Sequence, residues 1–135
     1  MSKERSVIIV GAGLAGLSAA ITLAKANVHT FLISSLPSER AQSVLAEGGI
    51  NAALNTMGEE DSWQQHFEDT RKAGCYLEEE ECLKDFAQSA GAIVEELVRL
   101  GVPFQSENGR LIQRYFGGQK KKRTSYAQSS TGKRS

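Results

Sequence analysis

Cysteine, proline, histidine and tryptophan are all scarce in this chain, and its charges cancel. Only Cys75 and Cys82 are present, seven residues apart. That spacing fits neither a C-x-x-C pair nor a zinc site, so both read as buried thiols in a reducing compartment. His29 and His66 stand alone, which gives no ligand set for a metal. No apolar run is long and uninterrupted enough to cross a membrane. Lys3 and Arg5, followed by an apolar stretch to Ala24, have the outline of a secretory signal. Three glycines inside that stretch would weaken such a segment, and Ala24-Lys25-Ala26 is a poor cleavage site. With 40% hydrophobic and 24% charged residues, the composition is that of an ordinary globular chain, and 135 residues allow one domain.

What the chain has is glycine in a particular place. Gly11-Ala12-Gly13-Leu14-Ala15-Gly16 follows Ser6-Val7-Ile8-Ile9-Val10, a β-branched run suited to a buried parallel strand. Residues 17–24 are small or helix-forming, and residues 28–33 read as a second strand. Strand, glycine turn, helix and strand make the βαβ unit that holds a dinucleotide pyrophosphate at a helix N-terminus. Gly11 permits the tight turn, Gly13 lets the backbone approach phosphate, and Gly16 lets the helix pack closely on the sheet.

Residues 34–49 lack periodicity and contain Pro37 and the Gly48-Gly49 pair, which predicts a long functional loop. Residues 50–54 read as a short strand or turn. Asp61 or Ser62 caps a helix with Trp63, Phe67 and Thr70 on one face, closed by Gly74. A second helical stretch starts near Glu79, with Leu83, Phe86, Ala87, Ala90, Ile93, Val94, Leu97 and Leu100 at helical spacing. Gly91 is expected to divide it, and Gly101 with Pro103 to stop it. Residues 78–81, all glutamate, suit the dipole of the helix start as a solvated cap. Asn108-Gly109 between residues 102–105 and 111–113 predicts a β-hairpin with a type I′ turn. There is no internal repeat.

Charge is uneven along the chain. All acidic residues lie at or before Glu107, whereas residues 110–135 carry eight of the sixteen basic ones. A nucleic-acid patch would interleave aromatics with these cations on a folded face, and Tyr115, Phe116 and Tyr126 are not so patterned. No nucleic-acid partner is expected. The Lys120-Lys121-Lys122-Arg123 run reads as a solvated, poorly ordered tail over residues 117–135, with attraction of an anionic substrate or cofactor as its functional alternative.

From residue 43 onward the sequence resembles a specific family. Ser43-Val44-Leu45-Ala46-Glu47-Gly48-Gly49-Ile50-Asn51-Ala52-Ala53-Leu54, Gly58-Glu59-Glu60-Asp61-Ser62-Trp63 and His66-Phe67-Glu68-Asp69-Thr70 are similar to the flavoprotein subunit of succinate dehydrogenase and fumarate reductase. So are Gly101-Val102-Pro103-Phe104, Gln113-Arg114-Tyr115-Phe116-Gly117-Gly118, Arg123-Thr124 and Ser130-Thr131-Gly132. L-aspartate oxidase shares the superfamily and is the alternative within it; a non-catalytic flavin-binding module is the alternative outside enzymes.

The resemblance implies an α/β fold: the N-terminal portion of a Rossmann-like FAD-binding domain with a parallel sheet, a helical insertion and a hairpin. It implies FAD held by Gly11, Ala12, Gly13, Leu14, Ala15 and Gly16, by Ser34 and Ser35, and by Gln42, Ser43, Ala46, Glu47, Gly48 and Gly49. Ser34-Ser35 stand where an acidic ribose ligand often lies, which weighs against NAD more than FAD. The glycine pair would lie beside the isoalloxazine ring, and Gly49 and Phe116 would border a C4 dicarboxylate substrate. A hairpin core aromatic is the equal alternative for Phe116. Many family members carry a histidine, bonded to the flavin, six positions before the first glycine of the pair. Gln42 stands there in this chain, and an amide is no nucleophile, so the FAD is expected to be non-covalent. The resemblance also implies an iron–sulfur partner subunit and a cytoplasmic location, at the membrane face through partners. Capping and catalytic residues are expected to lie outside residues 1–135, leaving this piece inactive alone.

Overall fold

The structure is a computed structural model, described over residues 6–127. β1 (Val7–Val10) and β2 (Thr30–Ile33) pair in parallel, with Val7 opposite Thr30 and Val10 opposite Ile33. Between them α1 (Leu14–Lys25) makes the crossover, as the glycine pattern predicts. It ends where Asn27 takes a left-handed conformation, with the Ala26 N–H on the Thr22 carbonyl. The strand run is not buried, however. Ile8 is 64% and Val10 84% exposed, and no third strand joins β1 and β2 among the described residues. Parallel sheets normally have both faces covered, so this pair presents an uncovered apolar face.

The segment read as an open loop contains two short pieces of helix, a 3₁₀ turn (Ser38–Arg40) and α2 (Gln42–Leu45). Pro37 fixes the backbone dihedral that starts the first of them. β3 (Ile50–Asn51) follows, and then α3 (Trp63–Ala73), whose Ser62 hydroxyl accepts from the Gln65 N–H at 3.2 Å. Ser62 is therefore the cap. The face of α3 that is buried is not that of Trp63 and Phe67 but that of His66, which is 3% exposed.

α4 (Glu80–Arg99) runs unbroken through Gly91. That position needs a small side chain because Leu54 Cδ2 lies 3.4 Å from where a Cβ would be. Packing, not propensity, accounts for Gly91. The helix stops at Gly101 in a Schellman arrangement: the Gly101 N–H reaches the Val98 carbonyl and the Val102 N–H reaches that of Leu97. Ala90 and Val94 of α4 then meet Ala52, Val102 and Phe104 to form the core, flanked by Ile50, Leu54, Leu97 and Leu111.

β4 (Ser106–Glu107) and β5 (Arg110–Leu111) form the expected hairpin, with positive φ at both Asn108 and Gly109. Gln113, expected in the second arm of that hairpin, instead opens β6 (Gln113–Arg114), and β7 (Thr124–Ser125) falls in the expected tail; with β3 they form an antiparallel sheet in the order β3-β7-β6. The expected solvated tail is thus contradicted at Arg123, Thr124 and Ser125, all buried, while Lys120 stays exposed. Cys75 and Cys82 are free and exposed, not buried, since they fall at the α3–α4 turn and on the outer side of α4.

Candidate functional site

At the end of β1 the Gly11 N–H donates to the Ile33 carbonyl at 2.7 Å, drawing the glycine turn against the end of β2. A Cβ on Gly16 would sit 1.9 Å from the Gly11 carbonyl oxygen, so helix and turn touch backbone to backbone. α1 opens at Gly13 with no side-chain cap and no acidic residue in its first turn. The positive end of its dipole and its first N–H groups are therefore turned toward whatever anion lies there. Only Ser43 intrudes: its hydroxyl accepts from the Leu14 N–H at 3.2 Å, and a Cβ on Gly13 would meet it at 3.0 Å. Ser43 belongs to α2, so the segment from Gln42 is folded back onto the glycine turn. Ser34 and Ser35 follow β2 directly and are exposed, as are Gln42, Ala46 and Glu47.

That segment ends on Gly48 and Gly49, and here Phe116 is brought in. A Cβ on Gly48 would lie 3.2 Å from Phe116 Cζ, while the ring itself remains 51% exposed. Phe116 is thus no core aromatic; it faces the glycine pair and solvent. Gly49 has φ +111° and leaves only 2.5 Å between its would-be Cβ and the Ser125 carbonyl oxygen. Arg114 Nη2 donates to the Gly48 carbonyl at 3.1 Å, with its guanidinium 4.3 Å from the centre of the Tyr126 ring. The sheet β3-β7-β6 is the bracket that holds this corner. Gln113, 2% exposed, donates from Nε2 to the carbonyls of Ala52 and Arg123 at 2.9 and 2.8 Å and accepts from the Thr56 hydroxyl.

Behind the corner lies a charged cluster that the sequence did not reveal. Arg123, 0% exposed, gives Nε and Nη2 to the two oxygens of Asp61 at 3.2 and 2.8 Å. The same Nη2 lies 3.0 Å from Asp69 Oδ2. Asp69 Oδ1 accepts from Gln65 at 2.8 Å. His66 sits beside them, and burial, with the Arg123 charge second, pushes its pKa below the usual 6.5 against the opposing pull of Asp61 and Asp69. Its Nδ1 and Arg123 Nη1 have no hydrogen-bond partner. His66, Asp69 and Arg123 line a cleft of about 210 Å³ together with Asn51, Gly117 and Gly118. The clue available in the sequence was the spacing of three between His66 and Asp69, which places both on one helix face. A second clasp joins the same two loops. Glu59 accepts from the Lys122 N–H at 2.9 Å and from the Tyr115 hydroxyl at 3.2 Å, and the first of these holds its carboxyl below the usual 4.5.

Among the described residues no group of three or more His, Cys, Asp or Glu could hold a metal, and no helix is long and apolar enough to cross a membrane. Ser130-Thr131-Gly132 lie outside the described residues.

A dinucleotide with a flat ring fits what is present: a helix start with no acidic residue in its first turn, glycine backbones that a Cβ would fill, and an exposed aromatic beside the glycine pair. Comparison with known proteins agrees. Residues 6–134 match the family model described as FAD binding domain. The succinate dehydrogenase flavoprotein subunit of Bacillus subtilis is 43% identical over 130 residues, covering 96% of this chain and 22% of that protein. Among solved structures, the apo Sdh1 complex of Mycobacterium smegmatis matches with a TM-score of 0.90 at 34% identity, over 96% of this chain and 22% of that one. A quinol fumarate reductase of E. coli matches with a TM-score of 0.89 at 36% identity, with the same coverage. The chain therefore spans about a fifth of the length of the relatives it matches.

Proposed function

The chain belongs to the FAD binding domain family, in the branch of the succinate dehydrogenase and fumarate reductase flavoproteins, and from that premise we propose that it is the FAD-binding part of an enzyme interconverting fumarate and succinate. The observation that carries this reading is the meeting of Gly48 and Phe116 on the segment that Ser43 folds onto the glycine turn. One corner then offers a phosphate-binding helix start at one end and, at the other, a backbone open to a flat ring with an aromatic at its edge.

In this reading Gly11, Ala12, Gly13, Leu14, Ala15 and Gly16 hold the pyrophosphate, Ser34 and Ser35 the ribose, and residues 42–49 the isoalloxazine side. When bound, FAD supplies a ring that accepts or gives a hydride. This chain's own residues bind it, orient it, and with Gly49 and Phe116 border the C4 dicarboxylate. Gln42 cannot form the flavin bond that a histidine forms there, so the FAD is non-covalent. An iron–sulfur subunit would exchange electrons with the flavin, at the cytoplasmic face of a membrane. Residues beyond this fifth of the relatives' length would supply the acid and the carboxylate clamps, so residues 1–135 alone turn nothing over.

The test is fumarate-dependent oxidation of a reduced viologen, and succinate-dependent reduction of an oxidised dye, by the full-length, FAD-loaded protein. Turnover with fumarate and succinate is the expected result. Activity with L-aspartate in their place would move the protein to the oxidase branch, and full-length protein that binds no FAD would overturn the reading entirely.

A further inference from the structure

We propose that Arg114 is a positioning residue for the flavin site, one that fixes the Gly48–Gly49 peptide so that the Gly49 N–H faces the flavin. The inference rests on the reading of the glycine pair as the ring's neighbour.

A trans peptide is planar, with its C=O and N–H on opposite edges, and no peptide among the described residues is cis. The peptide joining Gly48 to Gly49 has no side chain on either flank, so torsion restrains its rotation little. Something must hold it. Arg114 Nη2 does so at 3.1 Å from the Gly48 oxygen. Whatever edge the arginine takes for the carbonyl, the Gly49 N–H is turned to the other.

Arg114 is itself well held for a surface residue. It follows Gln113, whose buried amide ties β6 to Ala52 and Arg123, so its backbone is anchored at the sheet. Its guanidinium carbon lies over the Tyr126 ring, 4.3 Å from the ring centre. Its contact with Gly48 is therefore an N–H of fixed charge on a neutral carbonyl, the stronger class of hydrogen bond. Polarising that carbonyl makes the N–H at the far edge of the same peptide a better donor. A donor aimed at the ring favours the reduced, more negative flavin over the oxidised one. Arg114 thus acts on the flavin through one peptide, without touching it.

The measurements are the FAD dissociation constant of the full-length apoprotein, by flavin fluorescence, and the midpoint potential of the bound flavin. R114M is expected to weaken FAD binding about tenfold. It should lower the preference for reduced flavin by about tenfold as well, a shift of about 30 mV to more negative potential for a two-electron couple. R114K keeps the charge but loses the guanidinium that lies over the Tyr126 ring, so it should recover part of both. Y126L, which leaves Arg114 in place without its platform, should shift both in the same direction by less. Circular dichroism of each variant should match the parent. If R114M misfolds, Y126L and R114K still decide the matter. Unchanged affinity and potential in folded R114M, or in both other variants, would overturn the proposal while leaving the FAD reading intact. A parent protein with no affinity for FAD would remove both.

Discussion

Gly16 and Gly11 are in contact through their backbones: a methyl group on Gly16 would stand 1.9 Å from the Gly11 carbonyl oxygen. No rotamer change relieves such a clash, because the obstructing atom is main chain. The helix would have to lift from the turn that gives it its start. Gly16→Ala is therefore expected at the upper end of the about 1–3 kcal/mol that overpacking costs, or above it. Gly13→Ala is the informative contrast, since the Ser43 hydroxyl it would meet at 3.0 Å can rotate away. It should cost little stability and mainly flavin affinity. Denaturant midpoints and FAD titrations of the two full-length variants check this; G16A as stable as the parent would refute it.

Arg123 and Asp61 form a two-pronged ion pair with side chains 0% and 1% exposed. A buried pair adds modest net stability, but removing Asp61 leaves the buried Arg123 with Asp69 alone, at Nη2. Asp61→Leu is thus expected to cost about 3–5 kcal/mol. Adding Arg123→Met to it should recover a large part, because Asp69 keeps Gln65 and is more accessible. A double-mutant cycle by urea unfolding measures this coupling. Additive losses would show that the pair is not coupled.

His66 makes stability depend on pH. Its pKa is lowered in the folded chain by burial and by Arg123, while Asp61 and Asp69 oppose them and the Phe86 ring lies 5.8 Å away. A group with a depressed pKa binds its proton more readily when unfolded. Its contribution is complete above 6.5 and is lost as pH falls below that value. Glu59 adds its own loss only below 4.5, so its window opens at lower pH than that of His66. The unfolding midpoint should drop between pH 7.5 and pH 5.5, and His66→Gln should flatten that slope. An identical slope in H66Q would assign the effect to other groups.

What the sequence discloses here is what is decided within a few residues. The turn at Gly11, the Ser62 cap, the stop at Gly101 and the Asn108-Gly109 hairpin each depend on neighbours in the chain, and each stands where the sequence puts it. Arg123 depends on Asp61 and Asp69, some sixty positions away, so a basic run looked like a solvated tail. Gly91 reads as a break in the sequence because its reason, Leu54, also lies far off along the chain. The site divides in the same way. Its glycines are legible in the sequence, while Arg114 and the sheet that holds them become visible only when β6 and β7 meet β3. The exposed Ile8 and Val10 are a different matter: a strand composed for burial carries no record of which segment covers it.

In the proposed reading, Gln42 sets how the cofactor is held. It opens α2, one residue before the Ser43 that reaches the Leu14 N–H, so its position relative to the glycine turn is set by that contact. An amide nitrogen has its lone pair delocalised into the carbonyl, whereas a neutral imidazole offers a free one, and only the latter can bond to the flavin methyl carbon. Acid precipitation of the full-length protein should therefore leave all yellow colour in the supernatant. In Gln42→His, incubated with FAD and a dicarboxylate, part of the flavin should stay with the pellet and fluoresce in a denaturing gel. Colour in the parent's pellet would mean that another side chain makes the bond. Without that bond, retention rests on non-covalent contacts alone, so the parent should lose flavin on dilution in step with its dissociation constant, and Q42H should not.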